Sequence, residues 1–263
     1  MTSLVIGCIF VASSIKTNKM ARKVKPRFTF TNGNILLVFN YAPTENKKIT
    51  SAKKGIVQHY SFSREQYEHI LAGGNKLSIH QFDAGTCGDC PFSYNQGYKG
   101  GKCYTHKYYQ LGGLGAMLNS ICTQYPNWED IPQIPDEVPA ELSYYAKGTF
   151  IRFGSYGETI WVPLGWMESL TKVCSSWTGY THQWHKYPEY SKFMMASVHN
   201  GIEQSIATDR GWRTFAILDK NTPTIGNVVC PASKENNKSA CDKCSLCSGT
   251  QGKGKKSVEI RQH

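Results

Sequence analysis

Several common chemical signatures are missing from this chain. It has no glycine-rich phosphate loop closing on Lys-Ser/Thr, no His-Glu-x-x-His and no Gly-x-Ser-x-Gly elbow. Those absences remove nucleotide-hydrolysing, zincin and α/β-hydrolase readings. No apolar run is long enough to cross a bilayer. The opening "MTSLVIGCIFVASS" is apolar but short and lacks a basic leader, so a signal peptide is not expected. "VIGC" looks like a lipoprotein acylation box at Cys8, yet only seven residues precede that cysteine. Met20, followed by "ARKVKPRF", reads as the start, and residues 1–19 as upstream translation. The expected location is the cytoplasm, where thiols stay reduced, and no membrane partner is expected.

Acidic residues are also scarce. Residues 1–60 carry ten Lys/Arg against one acid, Glu45, and the whole chain has a net charge of +11. The segment after Cys247 adds Lys253, Lys255, Lys256 and Arg261. Basic charge gathered toward the two ends favours a polyanion, so a nucleic acid is the expected partner of the N-terminal region and tail. A solvated surface with no partner is the plainer alternative. With 263 residues, 40% of them hydrophobic, and 15 Tyr, the chain can build a core without metal.

What is abundant is cysteine, in two clusters. "GTCGDCPFSYNQGYKGGKCYTH" holds Cys87, Cys90 and Cys103; "CPASKENNKSACDKCSLC" holds Cys230, Cys241, Cys244 and Cys247. Two residues between cysteines let both sulfurs turn toward one metal, and disulfide scaffolds are shorter and denser than this chain. The Cys-x-x-Cys-x-x-Cys run in the second cluster has the spacing of ferredoxin-type ligation of a [4Fe–4S] cluster. Zinc favours two knuckles separated by a longer loop and stays as the alternative. The first cluster lacks an obvious fourth ligand; His106, His80 or none are the choices, and a redox-active dithiol is the other reading. Three thiolates with an open position are, by analogy only, what a radical S-adenosylmethionine enzyme uses, so S-adenosylmethionine enters as a candidate cofactor beside one or two [4Fe–4S] clusters. Cys8, Cys122 and Cys174 stand alone and read as ordinary thiols.

The pattern around these clusters is α/β. "RFTFTNGNILLVFNY", Arg27–Tyr41, reads as a hairpin turning at Asn32-Gly33. Ser63–Gly74 reads as a helix capped by Ser63, with a Glu two residues on. "KLSIHQF", Lys76–Phe82, reads as a strand leading into the first cluster, and "HKYYQLGGLGAMLNSI" as a helix with central glycines. Asn127–Pro139 is a Pro-rich connector. Beyond it, "GTFIRFGSYG", "TGYTHQW", "FMMASVHN", "RTFAILD" and "NVVCPA" read as strands, interleaved with helices "LGWMESLTKVCSS" and "IEQSIATDRG". That alternation predicts a parallel sheet or partial (β/α) barrel with Cys-rich metal-binding loops and an N-terminal β-hairpin extension. The expected division is residues 20–75 as a basic hairpin/helix region and 76–263 as the metal-binding core. Sites in such sheets lie at strand C-terminal ends, so both clusters are expected at one shared rim.

From about Leu77 onward, "TCGDCPF…GGKCYTH", "FIRFGSYGE", "WTGYTHQW", "MASVHN", "GWRTFAIL" and "VVCPAS…CDKCSLC" resemble an uncharacterised cysteine-rich family of phage and plasmid proteins, and are similar to phage gene product 88-type proteins. Departures are Thr86-Cys87-Gly88 for a Cys-Pro, Tyr104-Thr105 for Tyr-Ala, and Glu158 where Asp is usual. The resemblance implies a mobile-element origin and an iron–sulfur fold distantly like radical-enzyme barrels. It implies no reaction.

Polar residues at strand ends complete the candidate site. Arg152, Glu158 and His182 are the expected catalytic groups. Gly154, Gly157, Thr181 and Ser197 are the expected cofactor-binding positions, the two glycines because backbone without Cβ lets a ligand come close. His199 occupies the equivalent place one strand on, and Arg213 is expected to bind an anion or pair with Glu158. The functional expectation is an iron–sulfur protein, redox- or radical-type, acting at the strand rim. The alternative is a zinc-stapled nucleic-acid-binding protein in mobile-element replication.

Overall fold

The computed structural model describes residues 26–43, 49, 55–94, 103–233, 236 and 238–261. The expectations for Cys8, Met20, residues 1–19 and the basic cluster up to Lys25 lie outside them, as do Glu45 and the lysines near it. Two five-stranded sheets carry the fold. The first runs β1 (Arg27–Asn32), β2 (Ile35–Pro43), β3 (Gly55–Ser63), β4 (Phe150–Tyr156) and β5 (Ser176–Thr178) in that spatial order. Its first two pairings are antiparallel and the next two parallel. The second is wholly parallel, ordered β6 (Tyr180–Thr181), β7 (Met195–Val198), β8 (Thr214–Leu218), β10 (Val258–Arg261) and β9 (Val228–Val229). Only Gly179 separates β5 from β6, so the chain steps from the edge of one sheet to the edge of the next. Among the described residues no pairing joins β1 to β9, so the array is open and no closed barrel forms.

The mixed α/β class and the N-terminal hairpin match the sequence reading. Because β3 pairs with β4, the hairpin region shares a sheet with the later chain. Seven α-helices accompany the described strands: α1 (Arg64–Leu71), α2 (Ala84–Cys87), α3 (Tyr108–Gln124), α4 (Ala140–Ala146), α5 (Leu164–Val173), α6 (Gly201–Asp209) and α7 (Cys241–Cys244). Ser63 caps α1 reciprocally with Gln66, not with the expected Glu65, since only the third helical residue can reach back to the cap.

Alternation in β2 divides the apolar residues between two layers. Leu37 and Phe39 join Val57, Ile151, Phe153 and Trp166 of α5 in one core that also takes Ala196, Val198, Ala216 and Leu218 from the second sheet. Leu36 and Val38 face the other way, with Phe62, Tyr156 and the buried faces of α1 and α3. One expected strand is not one. Lys76–Phe82 is a 3-10 helix, because the Asn75 side chain accepts from the Leu77 N–H and its carbonyl from the Ser78 N–H. Leu77 and Ile79 two apart imitate a strand period, but Ile79 alone is buried.

Candidate functional site

The first cysteine cluster is built by short turns. Asp83 ends the 3-10 helix, and its carbonyl accepts the Thr86 and Cys87 N–H groups, starting α2. Cys90 N–H then donates to Cys87 O, and Cys103 N–H to Phe92 O. The loop is bolted to the end of β4: Glu158 N–H and Trp161 Nε1–H both donate to Thr86 O, at 3.1 and 2.9 Å. Gln183 also reaches Cys87 O.

Glu158 organises this end of the molecule. Its Oε2 accepts from Thr181 Oγ1 at 2.7 Å; its Oε1 accepts from the His182 N–H at 3.0 Å and lies 3.2 Å from His182 Nδ1. Burial alone would discharge the His182 ring, but the Cys90 sulfur and Glu158 carboxylate raise its pKa to about 10. The His182 and His199 rings stack, 5.3 Å between centroids and 6° between planes, with Phe92 edge-on to both. The strand ends after β4, β6 and β7 therefore converge, as their polar residues suggested. Burial, reinforced by Asp83, holds the Cys87 thiol well above its usual range, and burial lifts Cys103 to about 11.

Behind Glu158 runs a buried polar chain that the sequence reading missed. Gly154 N–H donates to His59 Nδ1 at 3.3 Å, so the ring proton sits on Nε2 and faces Ser61 Oγ at 3.2 Å. Ser61 Oγ donates onward to Glu158 O at 3.0 Å. His59 is fully buried, and burial depresses its pKa to about 3. Also missed was Asp83, the neighbour of His106, one of the two histidines considered as a fourth ligand. The buried Asp83 carboxylate accepts the Tyr94 N–H and stands 3.2 Å from His106 Nε2, with His80 5.0 Å ring-to-ring beyond. An acid four residues before a Cys-x-x-Cys pair was the available signal.

The two glycines serve the protein rather than a ligand. Both have positive φ, 67° at Gly154 and 71° at Gly157. A Cβ on Gly154 would meet Thr159 Oγ1 at 2.6 Å; on Gly157 it would meet Ser61 O and Thr86 Oγ1 at 2.5 Å. Thr181 spends its hydroxyl on Glu158. Ser197 is buried inside β7, not at its end. Arg152 stands apart from Glu158 and His182: it donates to Tyr104 Oη at 2.7 Å and lies within electrostatic reach of Cys241. Arg213 does not pair with Glu158 either. It is buried and donates to the carbonyls of Gly249 (2.7 Å), Leu246 (2.6 Å) and Lys256, clamping the loop that carries Cys247.

The second cluster lies against one face of the second sheet. Cys230, Cys241, Cys244 and Cys247 all line one small cavity with Tyr180, Thr178 and Val258, and Cys247 packs on Met195 and Val258. These are the beginnings of β6, β7 and β10, whereas His182 and His199 follow the ends of β6 and β7. The expected single rim is thus corrected. The Cys-rich connection enters β10 at Val258, and its cysteines lie with the first residues of β6, β7 and β10, at the other end of the strands. Tyr180 hydrogen-bonds the Cys247 sulfur, and burial pushes Cys247 far up and Cys241 to about 11.

Among the described residues no cysteine is joined in a disulfide. Among those residues, no three His, Cys, Asp or Glu side chains converge on one point as a finished metal site. Cys122 and Cys174 donate only to nearby backbone carbonyls, in keeping with ordinary thiols. No helix is long and apolar enough to cross a membrane among the described residues. Comparison of the chain with protein-family models, curated proteins and solved structures finds no match.

Proposed function

We propose that this chain is a thiolate metalloprotein in which Cys230, Cys241, Cys244 and Cys247 hold an iron–sulfur cluster, with Cys87, Cys90 and Cys103 forming a second centre. The observation that carries the reading is that four cysteines, spread over eighteen positions of sequence, line one cavity. Burial holds the Cys241 and Cys247 thiols protonated and makes them costly to ionise, and a cation is what would make thiolates stable there. An all-sulfur donor set suits iron–sulfur or zinc, so the donor chemistry fits. A bound cluster would supply one-electron redox chemistry. Glu158 and His182, hydrogen-bonded to each other beside Cys90, would hold a proton at the first centre, which supports a redox or radical-type enzyme; its mobile-element origin rests on the sequence resemblance alone.

Zinc is the second reading. The cavity volume is about 20 Å³, close to the space one water needs, so a single ion enters with less rearrangement than a cubane. In that case the metals staple loops, and the basic N-terminal region would grip nucleic acid. The C-terminal basic stretch supports that role less, because Arg261 donates to the Asp219 and Thr222 carbonyls from within β10.

Anaerobic purification with iron, sulfide and zinc quantified beside a UV–visible spectrum tests the proposal. Matched iron and sulfide with a broad band near ~400 nm supports the cluster. A colourless protein with stoichiometric zinc replaces it by the second reading. A metal-free protein from metal-replete cells sinks both.

A further inference from the structure

A second and much larger cavity, of about 590 Å³, lies between the first sheet and α3. Its floor is an anomaly for a sheet covered by a helix. The registers set Arg27 opposite Asn40, Asn40 opposite Gln58, and Gln58 opposite Arg152. Four strands thus contribute one continuous polar row with a guanidinium at each end, on the face where Leu36, Val38 and Phe62 are otherwise apolar. Tyr60, two residues beyond Gln58 on the same face, feels the charge of both arginines. Tyr104 and Gln110 close the cleft from the other side.

The polar groups here are under-used. Arg27 Nη1 donates to Ser120 Oγ at 3.2 Å, while its Nε is buried without a partner, as is Gln110 Oε1. Among the described residues, neither Arg27 nor Arg152 is paired with a carboxylate. Desolvated guanidinium without a counter-charge is costly, and a planar fork of donors suits phosphate or carboxylate. Along α3, Gly113 lines the cleft, and a Cβ there would meet nothing within 4 Å. The helix leaves that volume open.

We infer that this cleft binds a nucleoside phosphate, its phosphate held by Arg27 and Arg152 and its base read by the tyrosines and the Asn40/Gln58/Gln110 amides. The volume falls in the range of about 300–1,000 Å³ usual for small-ligand sites, too large for inorganic phosphate alone. Two tyrosine rings offer stacking surface and three amides offer donor–acceptor pairs for a base edge. This inference stands independently of any metal.

Calorimetric titration of the full chain with AMP, adenosine and inorganic phosphate tests it. AMP is expected to bind with Kd below about 1 mM, and adenosine and phosphate each at least about tenfold more weakly. Arg27→Gln and Arg152→Gln should each weaken AMP by about tenfold or more while circular dichroism stays unchanged. Gly113→Leu fills the open volume and raises helix propensity; it should abolish AMP binding with no loss of thermal stability, so a failure of the arginine variants to fold does not shelter the idea. A 5′-phosphorylated single-stranded oligonucleotide separates the sources: tighter than AMP assigns the end of a nucleic acid, weaker assigns a free nucleotide, and both uphold the class. No AMP binding at about 10 mM overturns the inference, as does adenosine or phosphate matching AMP, or AMP binding untouched by Gly113→Leu.

Discussion

Glu158 Oε1 accepts the His182 backbone N–H and faces the same residue's ring Nδ1, 3.0 and 3.2 Å away. With Thr181 on Oε2, one buried carboxylate fixes the turn after β6 and the orientation of an imidazole beside Cys90. Glu158→Leu leaves a hydroxyl, an amide and a ring nitrogen without their acceptor. The expected loss is about 2–4 kcal/mol of unfolding free energy, read as a lower urea midpoint at unchanged slope. Glu158→Gln retains an acceptor and should lose less than half of that. Equal losses would show that charge, not hydrogen bonding, holds the turn.

His59 makes the protein acid-sensitive. Its pKa is about 3 in the fold, against 6.5 in a free histidine. Above pH 6.5 both states are neutral and the fold carries no penalty. As pH falls, the unfolded chain gains a proton that the folded chain refuses, so stability declines by about 1.4 kcal/mol per pH unit until about pH 3. His59→Leu should be less stable at pH 7, having lost its bonds to Gly154 and Ser61, yet lose about 2–3 kcal/mol less than the parent between pH 7 and 4.5. Chemical denaturation at the two pH values measures this. Parallel pH dependences would mean the acid limb belongs to other groups.

Gly157 and Gly33 both have positive φ, yet they differ in room. Ala at Gly33 meets open space and should cost about 1 kcal/mol for the backbone alone. Ala at Gly157 adds contacts of 2.5 Å with Ser61 O and Thr86 Oγ1, so a further cost of about 1–3 kcal/mol is expected. Thermal melts of the pair test it; matched melting temperatures would show that the β4 end loop yields freely.

Arg213→Met removes three carbonyl partners from the loop around Cys247. We expect about 3–5 kcal/mol of destabilisation and faster labelling of Cys247 by a thiol reagent under native conditions, followed by peptide mass spectrometry. Unchanged labelling with lowered stability would confine Arg213 to the core and detach it from the cysteine loop.

How much of this was legible in sequence follows from the range of each interaction. Asn32-Gly33 announced the hairpin because its turn chemistry is local, and the 3.6-residue periodicity of α5 and α6 is local too. β10 was missed because Glu259, 2% exposed, breaks the apolar run of a four-residue strand; its Oε2 accepts the Ile225 N–H, a partner no pattern reveals. β3 was missed although "GIVQHYSFS" is half apolar, since its buried His59 and Ser61 read as surface residues until Gly154 and Glu158 are known to be their partners. The cysteines, Glu158 and His182 were visible as residue types at strand ends. That Arg27 and Arg152 share one cross-strand row was not, because it depends on the register of three pairings at once.

β10 lies between β8 and β9, both earlier in the chain. The four cysteines occupy the connection from β9 to β10, so this loop is anchored at both ends in adjacent strands. Closing it costs chain entropy that two residue pairs of β9–β10 register barely offset. Whatever ties the four sulfurs together shortens the free loop and so lowers that cost. Filling the thiol cavity and docking β9 are then a single equilibrium seen from two sides, and the edge of the second sheet is a gauge of what the cysteines hold.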